Sequence, residues 1–214
     1  MYGMHPTLAN TDRKLKRDIT RGPRQRHLPA IFLVSDEDRL PKPETILSSL
    51  PRGAGVILRH YTDPDRTDLG LRLSRLCRAQ GLRLLVGGSW RLAAQIGAHG
   101  IHLPAHMAAA GLPPAARLWL RQRNGVLTVA AHGPKELRQA RKLGASAALL
   151  SPIFATASHP DKKPLGPVRC AAMVHGTSVA VIALGGVTVK TINALRGTGC
   201  QGIAGISFAF QKHS

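Results

Sequence analysis

Carboxylates are scarce in this chain. Its 214 residues hold 11 Asp and Glu against 30 Lys and Arg, a formal net charge of +19. No acid occurs between Asp68 and Glu136. Acidic metal cages over that stretch are excluded, because magnesium takes oxygen ligands and commonly one or two carboxylates. Aromatic residues make up only 4%, so any core is aliphatic. The three cysteines, Cys77, Cys170 and Cys200, form no CxxC pair and cannot all pair within the chain, which argues against structural zinc and for a reducing compartment. His spacing is unconvincing for zinc as well. No apolar run reaches the length of a bilayer span, and the N-terminal residues lack the apolar stretch of a secretory signal. A cytoplasmic location with no membrane partner is expected.

What is present is a repeating aliphatic pattern. Hydrophobic residues reach 43%, with 22 glycines and 15 prolines, enough for one sizeable core. Residues 1–27 are expected to form a basic, disordered arm, since "RKLKRDITRGPRQRH" carries seven Arg or Lys between helix-breaking residues. From residue 28 to 214, eight strand-like runs follow: 30–36, 53–61, 82–88, 100–103, 126–133, 145–154, 178–186 and 200–210. Helical stretches separate most of them, at 43–50, 67–81, 89–100 and 134–144, with another in "TVKTINALRGTG" after the seventh run. Segment 104–125 must supply the fourth helix. Short aliphatic strands alternating with helices predict a parallel α/β sheet, and the count of eight predicts a single (β/α)8 TIM barrel. A doubly wound open sheet is the alternative, but the first loop has no glycine-rich phosphate turn.

Active residues of such barrels lie at the C-terminal strand ends. That rule gathers Ser35 and Asp36, Arg59, His60 and Tyr61, Gly87 to Ser89, His102, His132, the segment "SPIFATASHPDKKPLG", Gly185 and Gly186, and Ser207. Glycine N–H groups and a helix start cradle phosphate without a cation. A phosphate site is therefore expected at Thr156, Ser158, Gly185, Gly186 and Ser207, with Arg59, His159, Lys162 and Lys163 as further anion or substrate contacts. His132 at the end of the fifth strand is a candidate catalytic residue, because imidazole exchanges protons near neutrality, with a satisfied structural histidine as the alternative. His102 reads as buried and structural. No metal site and no cofactor are expected, magnesium included. The positive charge raises nucleic-acid binding, which is expected to be weak and non-specific since no basic stripe interleaves with exposed aromatics.

Two blocks carry a resemblance. "VAAHGPKELRQARKLGASAALLSPIFATASHPDKKPLG" and "VIALGGVTVKTINALRGTGCQGIAGISFAF" resemble the thiamine phosphate synthase and TenI superfamily over about residues 30–210. The resemblance implies a barrel binding thiazole phosphate, with Thr156 and Ser158 on phosphate or pyrophosphate and Gly185, Gly186 and Ser207 on the thiazole phosphate. The first half departs from the synthase pattern. "ILRHY" stands for Gln-Leu-Arg-x-Lys and keeps only Arg59 of its three polar residues; "GGS" stands for Asn-Asp-Arg, and "HLPAHMAA" lacks the acidic segment. His159 stands where the loop lysine would be. These departures favour the metal-free aromatizing tautomerase branch, which uses a His at the position of His132. Two alternatives remain: a synthase with an altered pyrophosphate site, and a non-catalytic phosphate-binding barrel or weak nucleic-acid binder. The expected partner is a phosphorylated small molecule, thiazole phosphate in the first instance, with a homodimer as a compatible assembly.

Overall fold

The computed structural model of the chain describes residues 28–156 and 163–206. Eight parallel strands close into a barrel in sequence order. They are β1 (Ile31–Val34), β2 (Gly55–Leu58), β3 (Arg83–Gly87), β4 (Gly100–Leu103), β5 (Val126–Ala131), β6 (Ala147–Leu150), β7 (Ala180–Leu184) and β8 (Gly202–Gly205). Closure comes from β1 pairing with β8, with Phe32 opposite Ala204. Among the described residues the helices are α1 (Arg66–Gln80), α2 (Trp90–Gln95), α3 (Ala105–Ala110), α4 (Pro114–Gln122), α5 (Pro134–Lys142) and α6 (Gly166–His175). The expected basic arm lies outside the described residues.

The strand period of two divides each strand between two cores. Phe32, Val34, Ile57, Leu85, Val126, Leu149, Ile182 and Ala204 form the inner cluster that fills the barrel. Ile31, Leu33, Val56, Leu58, Leu84, Val86 and their equivalents pack outward against the helices. Phe32 is the one aromatic of the inner cluster, and it needs room. A Cβ on Gly55, its neighbour on β2, would stand 2.3 Å from the Phe32 ring.

The expected strands overrun the observed ones, because the flanking residues leave the ladder to form the loops at either end. Segment 104–125 supplies two short helices, α3 and α4, broken at Gly111–Pro113. Pro113 and Pro114 supply no backbone N–H, so one helix cannot run through. The stretch at 43–50 is a 3-10 turn over Pro43–Ser49. The helix expected after β7 is only a 3-10 turn, Ile192–Leu195, because the Thr188 and Thr191 hydroxyls bond local backbone groups and compete with helical pairing. Ser89 caps α2 as expected, accepting from the Leu92 amide at 3.2 Å. Among the described residues, no helix is long and apolar enough to cross a membrane.

Candidate active site at the barrel mouth

At the C-terminal ends of β1 and β2, the inward alternation of Phe32 and Val34 continues to Asp36, and that of Gly55 and Ile57 continues to Arg59. The two meet at 2.6 Å between Arg59 Nη2 and Asp36 Oδ2. Arg59 Nε also donates to the Ser35 carbonyl at 2.9 Å, and Arg39 holds the same carboxylate at 3.1 Å. Partial burial pushes the Asp36 carboxyl up, but the Arg39 hydrogen bonds and the charges of Arg39 and Arg59 together hold it below its ordinary value. Arg59 is thus fixed at the rim by a carboxylate. Ser35 is buried; its hydroxyl accepts from the Arg59 amide at 2.9 Å and pairs with His60 Nδ1 at 2.9 Å. His60 is buried as well, and its Nε2 has no partner among the described residues.

Beside them Tyr61, gathered by the strand-end rule, packs with Arg66, which that rule did not reach. Tyr61 lies over the end of β3, with its hydroxyl 2.7 Å from where a Cβ on Gly87 would stand. Arg66 stacks on the Tyr61 ring at 5.2 Å and donates to the Gly87 carbonyl at 2.5 Å. Gly87 is therefore dictated by the tyrosine that fills its side-chain space. The signal was an aromatic at one strand end beside consecutive glycines at the next.

The magnesium that the resemblance to the synthase implies can be tested against these donors. The ends of β3 and β4 carry Gly87, Gly88, Pro104 and Ala105, none with a side-chain oxygen. Asp36 is already bound by two arginines. No group of three His, Cys, Asp or Glu among the described residues could hold a metal ion. The described donor set does not fit an octahedral oxygen-ligated ion.

His132 follows β5 and is exposed. Its Nδ1 lies 2.9 Å from the Ser151 carbonyl and 3.4 Å from the Ser151 hydroxyl. A carbonyl only accepts, so Nδ1 carries the proton and donates. Nε2 is then the basic nitrogen of an oriented imidazole. His102 is its opposite, enclosed in the barrel and bonded to the Thr128 hydroxyl at 2.9 Å.

Burial first, and then the Arg59 charge, push the His102 imidazolium down to about 3 from 6.5. Above pH 6.5 the ring is neutral in both folded and unfolded chains. As pH falls toward 3, the unfolded chain takes a proton that the fold refuses, so stability declines across that window. Asp36 acts lower: its contribution is complete above the unfolded value of 3.8 and is lost as pH drops through its folded value. We expect His102→Leu/Thr128→Val to flatten the pH dependence of urea unfolding between pH 6.5 and 4. The wild-type loss assigned to His102 approaches roughly 4 kcal/mol at pH 3. Equal slopes in both proteins would rule out this origin.

The segment after β6 runs beside the end of β7. The Ile153 and Phe154 amides donate to Leu184 and Gly185 carbonyls at 3.0 Å each. The returning chain closes the loop base, with Leu165 donating to Pro152 at 3.0 Å and Gly166 to Ile153 at 2.9 Å. Gly185 and Gly186 have φ of +90° and +64°. A Cβ on Gly186 would stand 2.3 Å from the Ala155 carbonyl oxygen. The fold thus brings Gly185 and Gly186 against Phe154 and Ala155, beside Thr156, and ties His132 to the same segment through Ser151. Lys163 is exposed where that loop returns. Ser158, His159, Lys162 and Ser207 lie outside the described residues, as does the helix start expected at 207.

A family model described as thiamine monophosphate synthase matches residues 31–209. A thiamine-phosphate synthase of Chlorobium luteolum is 30% identical over 192 residues, covering 88% of both chains. One of Bacillus mycoides is 25% identical over 200 residues, again covering 88% of each. The solved thiamine phosphate pyrophosphorylase of Pyrococcus furiosus superposes with a TM-score of 0.69 at 21% identity, over 86% of this chain and 87% of that one. This last likeness concerns the fold. Together with the match over residues 31–209, these findings mean that the chain belongs to the thiamine monophosphate synthase family.

Proposed function

We propose that the protein binds a phosphorylated thiazole at the barrel mouth and aromatizes a thiazole tautomer without a metal, with His132 moving the proton. The observation that carries this is the His132 Nδ1 bond to the Ser151 carbonyl at 2.9 Å. It fixes the tautomer, leaves Nε2 basic, and places the ring on the segment that leads to Thr156. Tautomerization needs one proton to leave a saturated ring carbon and another to arrive elsewhere in the conjugated system, with no leaving group to stabilise. A single oriented imidazole suffices for that, first as base and then as acid. The phosphate, held by Gly185 and Gly186 with Thr156, Ser158 and Ser207, would fix the ring so that His132 need not bind it. Lys162, Lys163 and His159 would be further anion contacts from the same stretch of sequence.

A second reading follows from the relatives, which carry the name thiamine-phosphate synthase. Coupling a pyrimidine pyrophosphate to the thiazole would need charge stabilisation on departing pyrophosphate. Arg59 is a described cation at the mouth, but Asp36 already pairs with it at 2.6 Å. Two assays on one preparation separate the readings: thiamine phosphate formation with magnesium, and thiazole aromatization in chelator. Aromatization in chelator with negligible coupling supports the proposal. Robust magnesium-dependent coupling without aromatization overturns it in favour of the second reading.

A further inference from the structure

The face opposite the mouth holds a feature that the thiazole site does not use. Arg83 opens β3, His99 precedes β4, and Arg123 and Asn124 precede β5, so all four lie at N-terminal strand ends. With Arg78 from the end of α1, they line a cleft of 390 Å³. A second cleft of 550 Å³ adjoins it at Asn124 and adds Arg117, Arg121 and Ser146. Residues 69–135, which supply most of the cleft lining, contain eight arginines and one lysine and no carboxylate. The described residues lining the two clefts include no acid.

Helix dipoles explain part of this. Arg78 and Arg121 sit in the last turns of α1 and α4, where a cation is favoured by the carbonyl ends. Arg123, the C-cap residue of α4, falls under the same explanation and stacks on Trp119 at 5.8 Å, but Arg83, which is on a strand, does not. The positive field registers on a neighbour. Partial burial, and then the charges of Arg83 and Arg78, push the His99 imidazolium below its ordinary value.

We propose that this face binds the phosphodiester backbone of single-stranded nucleic acid, independently of sequence. Two adjoining clefts suit an extended polyanion better than one compact ion. The cations lining them are arginines, whose planar forks pair with phosphate and stack on bases. The test uses the full chain and a labelled single-stranded oligonucleotide, followed by anisotropy between about 50 and 200 mM salt. Affinity should fall steeply with salt. Arg78→Gln/Arg83→Gln/Arg123→Gln should weaken binding at least about tenfold and lower the salt slope by about 2, the counterions of three phosphate contacts. Arg123→Gln alone, at an exposed position, should give a smaller loss in the same direction if the triple variant folds poorly. A companion full-length variant replaces the seven Arg and Lys of residues 13–26 with Gln. Loss confined to that variant overturns the proposal. So does complete competition by pyrophosphate with no gain from longer oligonucleotides, or binding only to anionic lipid vesicles.

A separate observation concerns sulfur. The cysteines are far apart in sequence, yet Cys170 Sγ on α6 lies 3.3 Å from Cys200 Sγ, two residues before β8. Cys77 is buried elsewhere, and burial pushes its thiol up to about 12. We infer that Cys170 and Cys200 form a peroxide-driven reversible disulfide. The Cys200 thiolate attacks peroxide and becomes a sulfenic acid, releasing hydroxide. Cys170 then attacks that sulfur, and water leaves. In total two thiols and one hydrogen peroxide give one disulfide and two waters. The Cys170 thiol, hydrogen-bonded to Cys200, holds the Cys200 value low while its own is raised; thiolate character is what selects the attacking sulfur. The bridge would tie α6, which follows the candidate phosphate loop, to the entry of β8. Peroxide should remove two hydrogens from the intact mass, join the Cys170 and Cys200 peptides in a non-reducing digest, and raise the melting temperature by about 5–10 °C, reversed by a dithiol. Cys200→Ser and Cys170→Ala should each abolish all three changes. Both thiols remaining free in wild type, or a mixed oxidation centred on Cys77, overturns the inference.

Discussion

In the His132→Ala protein, aromatization of the thiazole tautomer is expected to slow by about 10²- to 10⁴-fold, the usual contribution of a positioned acid–base group. Binding of thiazole phosphate should change by less than about threefold, because the ring moves a proton and the glycine-rich segment holds the phosphate. His132→Gln makes the test sharper. Its amide can still donate to the Ser151 carbonyl, which His132 now reaches at 2.9 Å, yet it offers no basic nitrogen. If His132 transfers the proton, Gln is as slow as Ala. If the histidine only holds the Ser151 segment in place, Gln restores most of the rate. An unchanged rate in both variants would remove His132 from the chemistry while leaving ligand binding to be explained by the loop.

The barrel was legible because most strands are aliphatic runs between a glycine and a polar turn, and closed parallel barrels need such runs on both faces. Helix lengths were less legible. Pro113 and Pro114 divide one expected helix into α3 and α4, while threonines at 188 and 191 draw backbone bonding away from another. At the mouth, the strand-end rule gathered His132, Arg59, Gly185 and Gly186, but it could not report pairing. That Arg59 is neutralised by Asp36 depends on two strands being adjacent, with their inward positions level. Tyr61 was gathered by the same rule, but its packing with Arg66 was hidden for a similar reason. Their role is to cover a glycine of the next strand, and only the packed ring explains why Gly87 has no side chain. The Cys170 and Cys200 pair likewise joins a helix to the strand two units of chain further on, a contact with no local spacing signature.

Gly186→Ala should be the most damaging single-methyl addition at the mouth. Two terms act together there. The backbone has φ of +64°, a left-handed conformation that costs a non-glycine residue about 1–2 kcal/mol. The new Cβ would also meet the Ala155 carbonyl oxygen at 2.3 Å and Phe154 Cβ at 2.7 Å. Neither obstacle is the far end of a flexible side chain, so the 154–156 segment must move. Gly197→Ala isolates the first term, since Gly197 has φ of +76° and nothing within 4 Å of the added carbon. By urea unfolding, Gly197→Ala should lose about 1 kcal/mol and Gly186→Ala about 2–4 kcal/mol, the excess reporting the clash. Calorimetry with thiazole phosphate should show at least about a tenfold loss of affinity for Gly186→Ala and none for Gly197→Ala, as a displaced backbone no longer presents its N–H groups to the anion. Equal stability losses in the two variants would mean that the loop yields without cost. Full affinity in a destabilised Gly186→Ala protein would place the phosphate away from Gly186, and the proposed anchor would have to be sought at another strand end.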